Sequence, residues 1–387
     1  SHRNFASLVA RLSAIFDLGP GDGMLSVLPL HHTFEFACGL LVPFSRGTEV
    51  AYLDELTADR ISEALGSGRV TAMIGVPALW SLLHRKITQE LAAKPGIVEQ
   101  AFELLQDANA RLRDSSLGWN LGKALFWPIH QRFGGRLRIL VSGGSALDPE
   151  VQKAFLDYGF DLYEGYGLTE TSPVLAVSTP DGDIPKGSVG PAIQGVELRI
   201  HEPDAEGVGE VIARGPNVML GYWRGGEQPG VDPDLTGQVM KDGWFHTGDL
   251  GKLDGDGNLT LVGRKKDVII DANGKNVYPD EVEEAYREPD LVKDLCVVGL
   301  PDGTGEKVAM VIVPDWRDRD RGEVRQRIEA HVREVSARLP FAKRVKVWHV
   351  VDGELPKTAT RKVKRPLVKE ELLRLEAAAE KGRAARP

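Results

Sequence analysis

Short apolar runs alternating with helical text constrain this chain more than any other feature. MLSVLPL (24–30), VTAMIGVP (70–77) and RLRILVSGG (136–144) each read as a buried strand, and helical stretches fill 57–66 and the residues from Ala78 onward. That alternation is the pattern of a layered, mostly parallel sheet. Residues 2–16 read as an amphipathic helix with Phe5, Leu8, Val9, Leu12, Ile15 and Phe16 on its apolar side, ended by GPGDG. Residues 82–133 read as mostly helix, and LDPEVQKAF starts another helix after the third strand.

The texture changes near residue 180, where Gly and Pro recur between short alternating segments such as VELRIHE and GEVIARG. A small β-barrel or sandwich suits such text. After GRKKDVI come a helix at PDEVEEAYRE, strands LCVVGLP and KVAMVIVP, a helix at 322–338 and a charged C-terminal tail. With 387 residues, two or three structural units are expected. The expected fold class is therefore α/β: a partial, layered, mostly parallel sheet domain at 1–178 with a helical insertion at 84–135, a β-rich subdomain at 179–264, and a small α+β lid at 265–387.

Charge narrows the partners. The 48 basic and 56 acidic residues give a net charge of −8, which offers no global attraction for nucleic acid, so any anion site is local. Cys38 and Cys296 lie far apart and outside any CxxC pattern, so no disulfide framework or thiolate metal site is expected, and a reducing cytoplasmic setting is. The longest apolar run, FACGLLVPF, is core-sized against the roughly 18 residues that a membrane helix needs. SHRNFASLVARL lacks the features of a signal peptide.

One stretch stands out as chemistry. YEGYGLTETSPV (163–174) packs hydroxyls, a carboxylate and glycines between apolar runs, as a strand end and its following loop do where ligands sit. From the residues alone, Thr169 and Glu170 equally fit a turn that caps a helix. His31 and His32 in LPLHHTFEF raise a metal or acid–base reading, yet no third ligand is apparent.

Four motifs occur in one order: LVSGGSAL (140–147), YEGYGLTETSP (163–173), GWFHTGDLG (243–251) with GRKKDVII (263–270), and LPKTATRKVKR (355–365). Together they resemble the AMP-forming acyl-CoA synthetases of the adenylating enzyme superfamily. The 84–135 stretch, GPNVMLGYW and NGKNVYP resemble the long-chain fatty acyl-CoA synthetases among them. The resemblance implies a long-chain-fatty-acid–CoA ligase that uses ATP, Mg²⁺ and coenzyme A. It makes acyl-AMP and pyrophosphate from a fatty carboxylate, then a thioester. Such a ligase is cytoplasmic, with room for peripheral contact at the inner membrane surface. The alternatives are an acyl-AMP ligase feeding a carrier protein and a nonenzymatic acyl- or nucleotide-binding module.

By the same resemblance, Gly143, Gly144 and Ser145 form the adenine-side loop, and Glu164, Gly165, Tyr166 and Gly167 continue the nucleotide site, with Tyr166 stacking on adenine. Thr169 meets phosphate oxygens and Glu170 holds Mg²⁺. Asp249 accepts from the ribose hydroxyls, Arg264 contacts ribose and phosphate, and Lys362 is the catalytic lysine. Lys266 is the hinge, Gly274 lines the pantetheine tunnel, and His32 stands as a gate or wall beside the acyl carboxylate, with a buried structural histidine as the equal alternative. Arg361 departs from the glycine usual before that lysine. From 338 to 369 there are ten Lys or Arg against two acidic residues, either a solvated face or a patch for anionic phosphates. The family's phosphate loop precedes a stretch like SHRNF, and neither GWNLGKA nor PDGTGEK has its spacing. The expectation is a chain lacking that N-terminal part and inactive alone.

Overall fold

The structure is a computed structural model describing all residues except 56, 94–95, 116–117, 180–184, 186, 227–228, 289–290, 317–318, 359–361 and 385–387. It divides into two compact units. One comprises Ser1–His201, Val211–Thr247 and Lys252–Thr260; the other comprises Glu202–Glu210, Gly248–Gly251 and Leu261–Pro387.

The first unit is built on a six-stranded sheet of β1 (Gly23–Ser26), β2 (Glu49–Tyr52), β3 (Ala72–Gly75), β4 (Ile139–Gly143), β5 (Leu162–Gly167) and β6 (Val174–Val177), in the order β2-β1-β3-β4-β5-β6. All neighbours are parallel except β5 and β6. β1, β3 and β4 are buried at every residue, as their unbroken apolar text required. Helices cover the sheet, among them His2–Ile15, Ala58–Gly66, Pro77–Ala92 and Pro149–Asp157. Thr57 and Asp148 cap two of them by accepting from the amides of Arg60 and Glu150. The core-sized run after LPLHH forms a π-helix, Glu35–Leu41, followed by one short α-helical turn.

The helical insertion holds Gly96–Arg113 and two short helices. It is stapled to the helix Pro149–Asp157 through Asp157, whose fully buried carboxylate accepts from Arg113 Nη1 at 2.5 Å, Lys153 Nζ at 2.7 Å and Gln106 Nε2 at 3.2 Å. The β-rich stretch forms a sheet in the order Met240–Lys241, Trp244–Leu253, Gly209–Arg214, Glu197–His201, with Leu259–Arg264 also paired to Trp244–Leu253.

The second unit centres on Val292–Asp302 antiparallel to Gly305–Pro314, which pairs in parallel with Val347–Val350. Period-two alternation sends side chains to both faces. Val297, Val308, Met310 and Ile312 pack with Val282 and Tyr286 of one helix and Val324, Ile328 and Val332 of another. Cys296, Val298, Ala309 and Val311 pack with Leu355, Val368 and Leu372. The C-terminal stretch, expected as a charged tail, is thus the helix Arg365–Ala384. Val368 and Leu372 are one turn apart and buried at 2% and 0% exposure, an apolar stripe too narrow to stand out among the surrounding charges. The molecule is a mixed α/β protein with one largely parallel sheet and separate antiparallel sheets.

Candidate functional site

In open α/β sheets, ligand chemistry gathers beyond the carboxyl ends of the strands, and the first unit places its candidate residues there. At the end of β4, Gly143 is buried beneath Phe34: a Cβ there would lie 2.9 Å from the ring's Cζ. Gly144 has φ +90°, in the left-handed region that disfavours side chains, and Ser145 follows it at the surface. Along β5, Ser142 pairs with Glu164 and Gly143 with Gly165, so the two glycine-bearing strand ends lie side by side.

Glu164 Oε1 accepts from the Leu147 amide at 3.1 Å, which ties the carboxylate to the start of the next helix. Burial pushes its pKa up to about 7. Tyr166 is 7% exposed, opposite Ala176. At Gly167 a Cβ would fall 1.9 Å from the Pro173 carbonyl, so only glycine lets β5 and β6 close here.

Thr169–Thr171 is one 3₁₀ turn rather than the start of an α-helix. Thr169 is exposed, its hydroxyl 3.4 Å from that of Thr33. Glu170 is anchored twice: Oε1 accepts from the Tyr222 hydroxyl at 2.9 Å, and the main-chain carbonyl accepts from the Met219 amide at 2.7 Å. Asn217 braces the same turn by donating to the carbonyls of Thr171 and Val174 at 3.0 and 2.7 Å. Burial, and then Glu170, push the Tyr222 hydroxyl pKa up to about 12, so it stays a donor. Tyr222 and Asn217, which brace this candidate site, were not singled out in the sequence reading; their signal was GPNVMLGYW, whose contacts only the fold discloses.

Among the described residues no group of three His, Cys, Asp or Glu is arranged to hold a metal ion. A single anchored carboxylate such as Glu170 nevertheless suits Mg²⁺, which uses one or two carboxylates together with substrate phosphates and retained water. His32 lies tilted against His31 with ring centroids 4.4 Å apart, and its Nε2 is buried without a hydrogen-bond partner. Three residues on, Glu35 is wholly buried on the π-helix and accepts from Ser26 Oγ at 2.5 Å. Burial raises its pKa to about 7.

The second unit gathers the other candidates. Asp249 on Trp244–Leu253 is 8% exposed and meets Arg264 Nε at 2.7 Å. Beside them Glu210 accepts from the Gly248 amide at 3.1 Å and from Lys265 Nζ at 3.0 Å. Lys362 keeps solvent access, yet crowding of its ammonium by protein and then the Arg264 guanidinium pull its pKa below the ordinary 10.5, against the opposing pull of Asp249 and Asp280. Asp249, Arg264 and Lys362 therefore share one electrostatic neighbourhood. Lys266 is exposed in the 3₁₀ turn Lys265–Asp267. Gly274, with φ +75°, closes the turn between Ile269–Ile270 and Asn276–Val277, where Asp271 accepts from the amides of Asn273 and Lys275. Arg361 lies outside the described residues.

The family described as AMP-binding enzyme matches residues 1–223, and the AMP-binding enzyme C-terminal domain matches residues 281–362. The chain is 30% identical over 364 residues to an indoleacetate–CoA ligase of Aromatoleum aromaticum, covering 92% of this chain and 60% of that protein. It is 30% identical over 325 residues to a long-chain-fatty-acid–CoA ligase of Salmonella typhimurium, covering 81% and 49%. The crystal structure of ATP-bound MatB from Rhodopseudomonas palustris superposes with a TM-score of 0.73 at 28% identity, covering 96% of this chain and 64% of that one. The chain thus spans about half to two thirds of the length of these proteins.

Proposed function

Since the chain belongs to the AMP-binding enzyme family, we propose that it serves an AMP-forming acid–coenzyme A ligase, with a long-chain fatty acid as the first substrate to test. The observation that carries this reading is the ion pair of Asp249 with Arg264, in the same unit as Lys362, whose ammonium feels the charges of both. In the first half-reaction a carboxylate oxygen of the acid attacks the α-phosphorus of ATP, and pyrophosphate leaves with the electrons of the broken phosphoanhydride bond. In the second, a coenzyme A thiolate attacks the acyl carbonyl and AMP departs.

The residues present suit those demands. Asp249 accepts from ribose hydroxyls, and Arg264 and Lys362 offset negative charge as it shifts onto the leaving oxygen. Gly143 and Gly144 leave the main chain open to a flat base, and Tyr166 supplies the aromatic wall. Thr169 donates to phosphate, and Glu170, held by Tyr222, binds the Mg²⁺ that screens phosphate charge. The unpartnered Nε2 suits His32 to the acyl carboxylate. Gly274 leaves space for the thiol-bearing arm of coenzyme A.

Acid-dependent pyrophosphate release tests the activity, with hexadecanoate, indoleacetate and ferulate compared as substrates. Long-chain preference is expected as the largest kcat/KM on hexadecanoate; a larger value on either aryl acid overturns that choice. Binding of ATP or fatty acid without pyrophosphate release from the full-length protein would make it a binding module instead. Asp249→Ala is expected to weaken ATP binding by about 2–3 kcal/mol, the scale for losing charge-assisted hydrogen bonds, and calorimetry showing unchanged affinity removes Asp249 from the ribose role. Lys266→Pro fixes φ within the Lys265–Asp267 turn. It is expected to leave adenylate formation largely intact and to slow thioester formation, measured from supplied acyl-AMP; equal rates for variant and parent would remove Lys266 as the hinge.

A further inference from the structure

Three residues beyond Lys362, Arg365 opens the last helix with a side chain only 14% exposed, set among three carboxylates. Its Nη2 donates to Asp280 and, at 2.8 Å, to Glu283 Oε1, and its Nη1 lies 3.6 Å from Asp267 Oδ2. Asp280 and Glu283 stand one turn apart on the helix Pro279–Tyr286, and Glu283 Oε1 also accepts from the Val297 amide at 2.8 Å, which fixes that carboxylate to the central sheet. Asp267 is the residue after Lys266 in the 3₁₀ turn. One planar guanidinium thus meets the helix, the turn and, through its own backbone, the stretch that carries Lys362. Lysine has no equivalent fork.

Among the described residues of that stretch, Lys357 Nζ lies 2.5 Å from Asp294 Oδ2, the Thr358 amide donates to the Lys362 carbonyl at 2.8 Å, and Val363 packs against the core around Leu355. Lys357 and Val363 form an isolated bridge, the Lys362 amide donates to Thr358 Oγ1 at 3.1 Å, and the Lys364 amide donates to the Pro356 carbonyl at 2.8 Å. We propose that Arg365 is a positioning residue that couples the 3₁₀ turn at Lys265–Asp267 to the placement of Lys362. When the turn changes conformation, the Asp267 carboxylate leaves the guanidinium, and the Lys362 segment loosens. The catalytic consequence rests on the reading of Lys362 given above; the mechanical coupling does not.

Amide hydrogen exchange on the full-length protein separates the two. In Arg365→Gln, the Lys362 and Lys364 amides are expected to exchange about tenfold faster while those of Gly305–Pro314 keep their rates. Arg365→Lys, which retains the charge without the fork, should show most of that change, and Asp267→Asn a smaller change in the same direction. Unchanged exchange at both amides, or equal acceleration across the sheet, overturns the positioning role; no effect of Asp267→Asn overturns the coupling. Acid-dependent pyrophosphate release should fall about tenfold in kcat for Arg365→Lys with KM for ATP within about twofold. A fall in KM affinity alone overturns the catalytic consequence. Altered exchange with no pyrophosphate release even from the parent protein discards the ligase reading and leaves the coupling standing.

Discussion

Lys362→Ala is expected to lower acid-dependent pyrophosphate release by about 10²- to 10³-fold, the range for removing one preorganised charge at a developing oxyanion. Conversion of supplied acyl-AMP to thioester should stay within about twofold of the parent, since no charge develops on pyrophosphate in that step. In the proposed role the cation is the working form, and its pKa lies below the ordinary lysine value because protein crowding and Arg264 outweigh Asp249 and Asp280. The alkaline limb of the adenylation rate should therefore descend at lower pH than an ordinary lysine would give: the charged form is present below the shifted pKa and is lost as pH rises through it. Equal losses in both half-reactions would deny Lys362 its step-specific role. An alkaline limb at or above the ordinary lysine range would place the ammonium outside the neighbourhood of Arg264.

Features set by local physics were legible before the fold was known. Buried strands were written as unbroken apolar runs, and YEGYGLTE read correctly as a strand end and loop because its glycines and hydroxyls are incompatible with a continued buried strand. The close approach at Gly167 and the positive φ at Gly144 explain why glycine recurs in those runs. Long-range side-chain partners were not legible. Tyr222 reaches Glu170 across 52 residues, and Arg365 reaches Asp280 across 85, with no periodicity to announce either pair. Glu35 was hidden for a different reason: a carboxylate in an apolar run reads as a surface position, whereas a π-helical turn and the Ser26 hydroxyl bury it. The last helix was obscured because its two buried residues, Val368 and Leu372, are outnumbered by charges that face solvent.

The same blindness concealed Asp157, which carries the largest expected effect on stability. Its carboxylate is fully buried, and it is the shared acceptor for Arg113, Lys153 and Gln106, so it joins the insertion helix Gly96–Arg113 to the helix on which it stands. The sequence reading found only the helix that starts at LDPEVQKAF. Asp157→Ala leaves the Arg113 guanidinium, itself only 16% exposed, without this partner, though Asp114 Oδ1 still accepts from its Nε at 2.9 Å. Breaking one side of a buried pair costs about 3–5 kcal/mol, and the surviving contact with Asp114 places the loss toward the lower end. Asp157→Asn, which keeps the volume and an acceptor oxygen, should recover part of it. Urea denaturation at constant m-value measures both. A loss under about 1 kcal/mol for the alanine variant would show that the insertion is held by the apolar contacts of Phe102 with Phe126 and Tyr158, and that the ionic staple adds specificity of placement rather than stability.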